Sequence, residues 1–364
     1  MRADDLTALA EQATLGALLL RPAGMDEVRG WLRPGDFADA WHGWVFTTLL
    51  EAHTAHRPID PVATGADLTD RYGTRLANLP RLHTLIAATP HAEHAPEYAR
   101  IVADIGLRRE VAGLGVLLRA AASQAVFEGA AVPLTATCNL VDAGLDAAAA
   151  RWATATGTPH DEVVVPLALR AASRSGQARE AAARYLDAHP ARDNAAEQRH
   201  VVDLVGTLIA HPEHIPAVTE WLPVARIADP AWRLIYAATV EQCDLGRPVD
   251  LVTVTAAAHC YAHHGPDLPA LHELRDAVDA GWMSWPPQVI RTAAGDQIRR
   301  LADLAADQLT QGAANPGVQI GEIADTGHAF TATLRHTATA LSANADARTV
   351  ASAAPVARVE GLRR

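Results

Sequence analysis

Lysine does not occur anywhere in the 364 residues; all 31 basic side chains are arginine. A P-loop of the form GxxxxGK[ST] therefore cannot be written, and no Schiff-base or phosphate-gripping lysine exists. Cysteine is scarce. Cys138, Cys243 and Cys260 are odd in number and lack CxxC spacing, which predicts reduced, packed thiols rather than a disulfide framework. No run approaches the roughly 18 to 20 apolar residues of a membrane span, and Met1-Arg2-Ala3-Asp4-Asp5 is not a charged-then-apolar leader, so a soluble, cytoplasmic protein without membrane contact is expected. GxSxG, HExxH, GxGxxG and paired-cysteine patterns are all missing, so the expectation is a non-enzyme with no catalytic residue, cofactor or metal. A formal charge of -11 argues against broad attraction to a nucleic-acid backbone, which needs clustered basic side chains; direct nucleic-acid binding is not expected.

What the chain does contain is one pattern written twice. Residues 15 to 62 overlay residues 205 to 252 without a gap: Gly16 falls on Gly206, Pro22 on Pro212, Trp31-Leu32 on Trp221-Leu222, Asp39 on Asp229, and Arg57-Pro58-x-Asp60 on Arg247-Pro248-x-Asp250. A spacing of 190 residues is that of a whole domain rather than of a solenoid repeat, which spans about 20 to 50 residues. At 49% hydrophobic content the chain can bury two cores. The expected layout is a first domain over 1–155, a partly helical connector over 156–194, a divergent second domain over 195–342 and a disordered tail over 343–364.

Apolar spacing is helical almost throughout, which predicts an all-α fold. Trp41, Val45 and Leu49 step by four. Asp60-Pro61 reads as an N-cap with proline at the first helical position, opening a helix that ends at Gly73. A long helix from about Pro96 carries Ile101, Val102, Ile105 and Leu114. After a reversal near Gly129, Leu134, Val141 and Leu145 line a return helix, as Phe330 and Leu334 do in the second run. Each half should thus end in a long helical hairpin whose narrow apolar seam suits self-association.

The stretches EQATLGALLL (11–20), LRPGDFADAWHGWVF (32–46), RPID (57–60) and TPHAEHAPEYARIVADIGLRRE (89–110), with LGRPVDLVTV (245–254) and PPQVIRTAAGDQIRR (286–300) in the second run, carry a resemblance to the N-terminal domain of DnaB-type replicative DNA helicases. The second run departs from it most where Val224-Ala225-Arg226-Ile227 replaces Pro34-Gly35-Asp36-Phe37. The resemblance implies a small helical bundle ending in a hairpin, one that pairs with its like in a ring collar and contacts primase. The ATPase of that family resides in a RecA-like domain, which no part of this sequence resembles, so helicase activity does not carry over. The implied partners are a primase or the replicative helicase itself.

Rival readings accompany each candidate. Arg108-Arg109 recur as Arg299-Arg300; they either form i,i+4 pairs, such as Asp104 with Arg108 and Asp296 with Arg300, or meet carboxylates across an interface. Trp31 and Trp221 belong to the core, whereas Trp282 and Trp285 flank Met283 beside Pro286-Pro287 and are candidates for partner binding. Together with the hairpin residues Leu134, Val141, Leu145, Phe330 and Leu334, these make up the candidate partner-binding set. His259-Cys260-x-x-His263-His264 has ligand types for a metal-dependent enzyme, set against a solvated helix end; a further alternative is an adaptor unrelated to replication.

Overall fold

The computed structural model describes residues 3–74, 79–160, 163–189, 192–261 and 267–342. Among them there is no β-strand, and the fold is all-α. The expected tail, 343–364, lies outside the described residues, as do 262–264 of the histidine-rich segment.

The first run folds as α1 (Ala3–Leu20), α2 (Met25–Val28), α3 (Ala40–Thr54), α4 (Pro61–Tyr72), α5 (Leu79–Ala87), α6 (Ala95–Glu128) and α7 (Val132–Thr156). Then come α8 (Leu167–Ser173) and α9 (Gly176–Ala188). The second run repeats the order of the first: α10 (Asn194–Ala210), α11 (Ile215–Thr219), α12 (Pro230–Asp244), α13 (Leu251–Tyr261), α14 (Leu271–Met283), α15 (Pro286–Ala314) and α16 (Ile320–Ser342). Even the short 3-10 turns recur, at Pro22–Gly24 and Pro212–His214, and at Pro34–Asp36 and Val224–Arg226.

The shared residues have local duties. Asp39 and Asp229 accept backbone N–H bonds at the starts of α3 and α12, and Asp60 does the same for Val62 and Ala63 at the start of α4. Each cap satisfies donors that no helix can satisfy internally. Gly16 and Gly206 permit something different. α1 crosses α5, and α10 crosses α14, so closely that a Cβ would run into the carbonyl of Leu85 in one case and of Ala277 in the other. Any side chain there would force the backbones apart.

The chain divides into two compact units that do not follow sequence order. Among the described residues, the first comprises those within 3–115, 140–176 and 307–328; the second comprises those within 116–139, 177–306 and 329–342. Each hairpin therefore leaves its own unit: the tip of α6–α7 belongs to the second, and the tip of α15–α16 to the first. The core of the first unit gathers Leu15, Leu18, Met25, Val28, Trp31, Phe37, Phe46, Leu49, Leu82 and Leu85, all buried. α8 joins it, with Ser173 fully buried and close to Gly144. In the second unit Leu204, Leu208, Ile215, Val218, Trp221, Ile235 and Tyr236 are buried likewise.

Candidate interaction surfaces

Arg108 is the residue that fixes the borrowed hairpin in the first unit. Its Nε lies 2.9–3.0 Å from the Asp104 carboxylate, the i,i+4 pair expected from sequence. Its two terminal nitrogens donate to the carbonyls of Asn315 (2.8 Å) and Val318 (2.9 Å) in the α15–α16 turn. A helix leaves its last carbonyls without partners, and one planar guanidinium here satisfies two acceptors just beyond the end of α15. Nearby, Gly327 comes so close to Leu145 that a Cβ would overlap its side chain. His328 sits between two carboxylates of α7, its Nδ1 2.9 Å from Asp142 and its Nε2 3.0 Å from Asp146.

Arg109 and Arg300 share one task. Arg109 donates to the carbonyl of Asp36 at 2.9 Å, and Arg300 to that of Arg226 at 3.3 Å, so each ties a long helix to the 3-10 turn before α3 or α12. The expected pair of Asp296 with Arg300 does not form. Asp296 is buried and takes Arg299 (2.7 Å) and His200 (2.6 Å) instead, while Arg300 is turned to the Arg226 carbonyl.

Of the hairpin candidates, Leu134, Val141, Leu145 and Leu334 are fully buried within the chain, and Phe330 is half-buried. Trp282, Met283 and Trp285 differ: they are 61%, 88% and 50% exposed, grouped where α14 passes into α15. Trp282 rests against the His211 ring at 5.2 Å. Trp31 and Trp221 are core residues, and Trp41 is buried beneath the Arg81 guanidinium, 4.1 Å from its ring centroid. Cys138 is buried, with burial pushing its thiol up to about 11, but Cys260 is exposed on the surface of α13 rather than packed. His259 is also exposed, and no group of three metal-ligating side chains occurs among the described residues. No helix among them is long and apolar enough to cross a membrane.

Sequence reasoning passed over the ionic interior of the first unit. Arg151 of α7 is 5% exposed in its side chain and bonds the equally buried Asp36, with Glu110 3.5 Å away. Burial pushes both carboxyls above their ordinary range even against the attraction of Arg151. Arg33, pressed by burial and by Arg151, falls to about 10. Glu11 is buried too, accepting from the Ala38 N–H and meeting His42 Nδ1 at 2.7 Å. Both Glu11 and Asp36 stand inside the quoted stretches, which was a signal available beforehand; Arg151, in an alanine-rich helix, gave none.

Residues 7–104 match the family model described as DnaB-like helicase N terminal domain. The replicative DNA helicase DnaB of Mycobacterium leprae (strain TN) is 39% identical over 108 residues, which is 29% of this chain and 18% of that protein. Its namesake from Leifsonia xyli subsp. xyli (strain CTCB07) is 33% identical over 109 residues, 29% of this chain and 24% of that protein. That of Geobacillus stearothermophilus is 33% identical over 103 residues, 28% and 23% respectively. The match spans about a fifth of the length of these relatives. No solved structure matches the chain. The segment similar to a DnaB-like helicase N-terminal domain thus spans most of α1, all of α2 to α5 and the start of α6.

Proposed function

We propose that the chain is a non-catalytic assembly protein of DNA replication, a tethered pair of collar-type domains that docks on a primase or on the replicative helicase. In this reading the second run is a divergent copy of the domain matched at 7–104, supported by its identical element order and by Gly206 repeating the backbone crossing made at Gly16. One observation carries the proposal. The tip of each hairpin is packed into the unit built mainly from the other run, which supports the reading that the pairing such domains otherwise make between molecules is made here within one chain. Covalent linkage holds the two partners at a high effective concentration, and the apolar seam of Leu134, Val141, Leu145 and Leu334 is spent inside. The exposed Trp282-Met283-Trp285 group supplies residue types that anchor protein interfaces, and we assign it to the partner.

The test is co-purification of the full chain with the primase and the replicative helicase of the same host at micromolar concentration. Retention of one of them, lost in the W282A/W285A double variant, supports the reading. Retention of neither removes the replication role, and DNA-stimulated ATP turnover by the pure chain would remove its non-catalytic character. The full chain is required, because a fragment ending near residue 155 lacks the 307–328 segment that completes the first unit.

A further inference from the structure

Independently of the docking role, the second unit contains a cleft of about 270 Å³ whose lining is at odds with the acidity of the chain. Arg119 and Ser123 of α6 form one wall, Leu186, His189 and Arg192 around the end of α9 another, and Arg299 and Asp303 of α15 the third. Three arginines and one aspartate line it, with Glu197 and Asp296 pairing Arg192 and Arg299 from beside the cleft.

The arginines are held in place. Asp303 receives Arg119 Nε at 3.1 Å and an Arg192 terminal nitrogen at 2.9 Å, which keeps two guanidinium groups side by side. Arg192 also forks onto Glu197, with both contacts at 2.6 Å. Arg299 donates one terminal nitrogen to Asp296 but retains a buried Nε with no hydrogen-bond partner. A buried guanidinium N–H left without an acceptor is costly, and Arg299, which carries this one, is among the residues that line the cleft. The His189 ring is fixed by stacking on Tyr185 at 3.9 Å, with Nδ1 bonded to the Tyr185 carbonyl at 2.7 Å, so Nε2 is the nitrogen left for a ligand. The Ser123 hydroxyl is half-buried in the same wall.

We propose that this cleft binds a small phosphate-bearing ligand. A planar carboxylate is best taken edge-on by one guanidinium fork, whereas donors arriving from three separate elements suit a tetrahedral oxyanion with acceptors in every direction. The volume lies just below the range of about 300 to 1,000 Å³ usual for pockets that enclose a whole small molecule, so it fits a phosphate and the first part of what it is attached to.

Isothermal titration of the full chain with inorganic phosphate and with adenosine 5′-monophosphate tests this, acetate serving as the planar control. The expected result is saturable one-to-one binding of phosphate, weakened about tenfold or more by Arg299→Gln and by less in Ser123→Ala, with the surface variant Arg275→Gln unchanged. Circular dichroism melts certify each variant as folded, and Ser123→Ala carries the test should Arg299→Gln fail to fold. Binding of phosphate but not of the monophosphate supports the site and makes the free ion its ligand. The proposal is overturned by no saturation at about 10 mM phosphate, by acetate binding as well, by indifference to both cleft variants, or by a single-stranded oligodeoxynucleotide binding more tightly than either probe.

Discussion

The turn before α3 and its counterpart before α12 are both short 3-10 turns, with opposite interiors. In the first, Asp36 is buried against Arg151 with Glu110 beside it, and Glu11 reaches from α1 to Ala38 and His42. In the second, Arg226 stands where Asp36 does, Val201 where Glu11 does and the buried Trp232 where His42 does; Tyr236 closes the site by donating to the Leu222 carbonyl at 2.8 Å. One scaffold is therefore pinned by desolvated charge and the other by apolar contact. Buried ion pairs contribute little net stability, but losing one member strands the other, which makes the first turn brittle and the second forgiving.

Removing the cation should expose this contrast most strongly. Arg151→Ala, which leaves Asp36 and Glu110 buried without their partner, should cost about 3–5 kcal/mol in denaturant unfolding. Arg226→Ala, cutting a half-buried side chain, should cost less than about 1 kcal/mol. Equal losses would erase the distinction. Next in size, Arg108→Ala should cost about 1–3 kcal/mol by freeing the Asn315 and Val318 carbonyls, and hydrogen exchange should quicken across 312–320. Unchanged protection there would mean that the α15–α16 turn holds itself.

A smaller effect sharpens the likeness rather than the difference. Two residues beyond α3 stands His56 with φ 52°, and two beyond α12 stands Gly246 with φ 62°, the left-handed region in both cases. His56→Gly should therefore gain up to about 1 kcal/mol, and Gly246→His should lose a similar amount, because a side chain is strained in that conformation. Thermal melts of the two variants decide it.

Smallest, and opposite in sign between the halves, is the response to pH. Burial raises the Glu110 carboxyl, so the folded state holds its proton more tightly than the unfolded one, and that contribution is lost as pH rises from the ordinary carboxylate range through the folded value. The Thr253 backbone N–H lowers Asp250, giving stability that is present above the ordinary range and lost as pH falls through the folded value. Melts in the acid range should show Glu110→Gln and Asp250→Asn changing the slope of stability with pH in opposite directions. Parallel changes would refute the assignment.

Much of this was legible in advance where a residue acts on its own neighbourhood. Asp60-Pro61 announced a capped helix, Gly73 its end, and the repeat of Gly16 as Gly206 marked a position with its own demand. The apolar stripe of each hairpin announced that it needed a partner. Its spacing carries no address, however, and Leu145 would pack as well on a second molecule as on Gly327 of its own chain. The same holds for Arg108: a guanidinium at that position can take a carboxylate or two carbonyls, and only the fold brings Asn315 and Val318 within reach. The cleft at Arg119, Arg192 and Arg299 draws on three distant stretches, and no local pattern unites them.

The seating of residues 307–328 in the first unit also has a consequence for how the molecule is made. A nascent chain emerges from the ribosome N-terminus first, so α1 to α8 must wait through some 130 further residues before the piece that covers Leu145 and engages Arg108 exists. Contacts spanning more than 200 positions come late and slowly. Until then Leu145 and Arg108 lack the neighbours that Gly327, Asn315 and Val318 give them, and yield in the cell should depend on what shelters these side chains during translation.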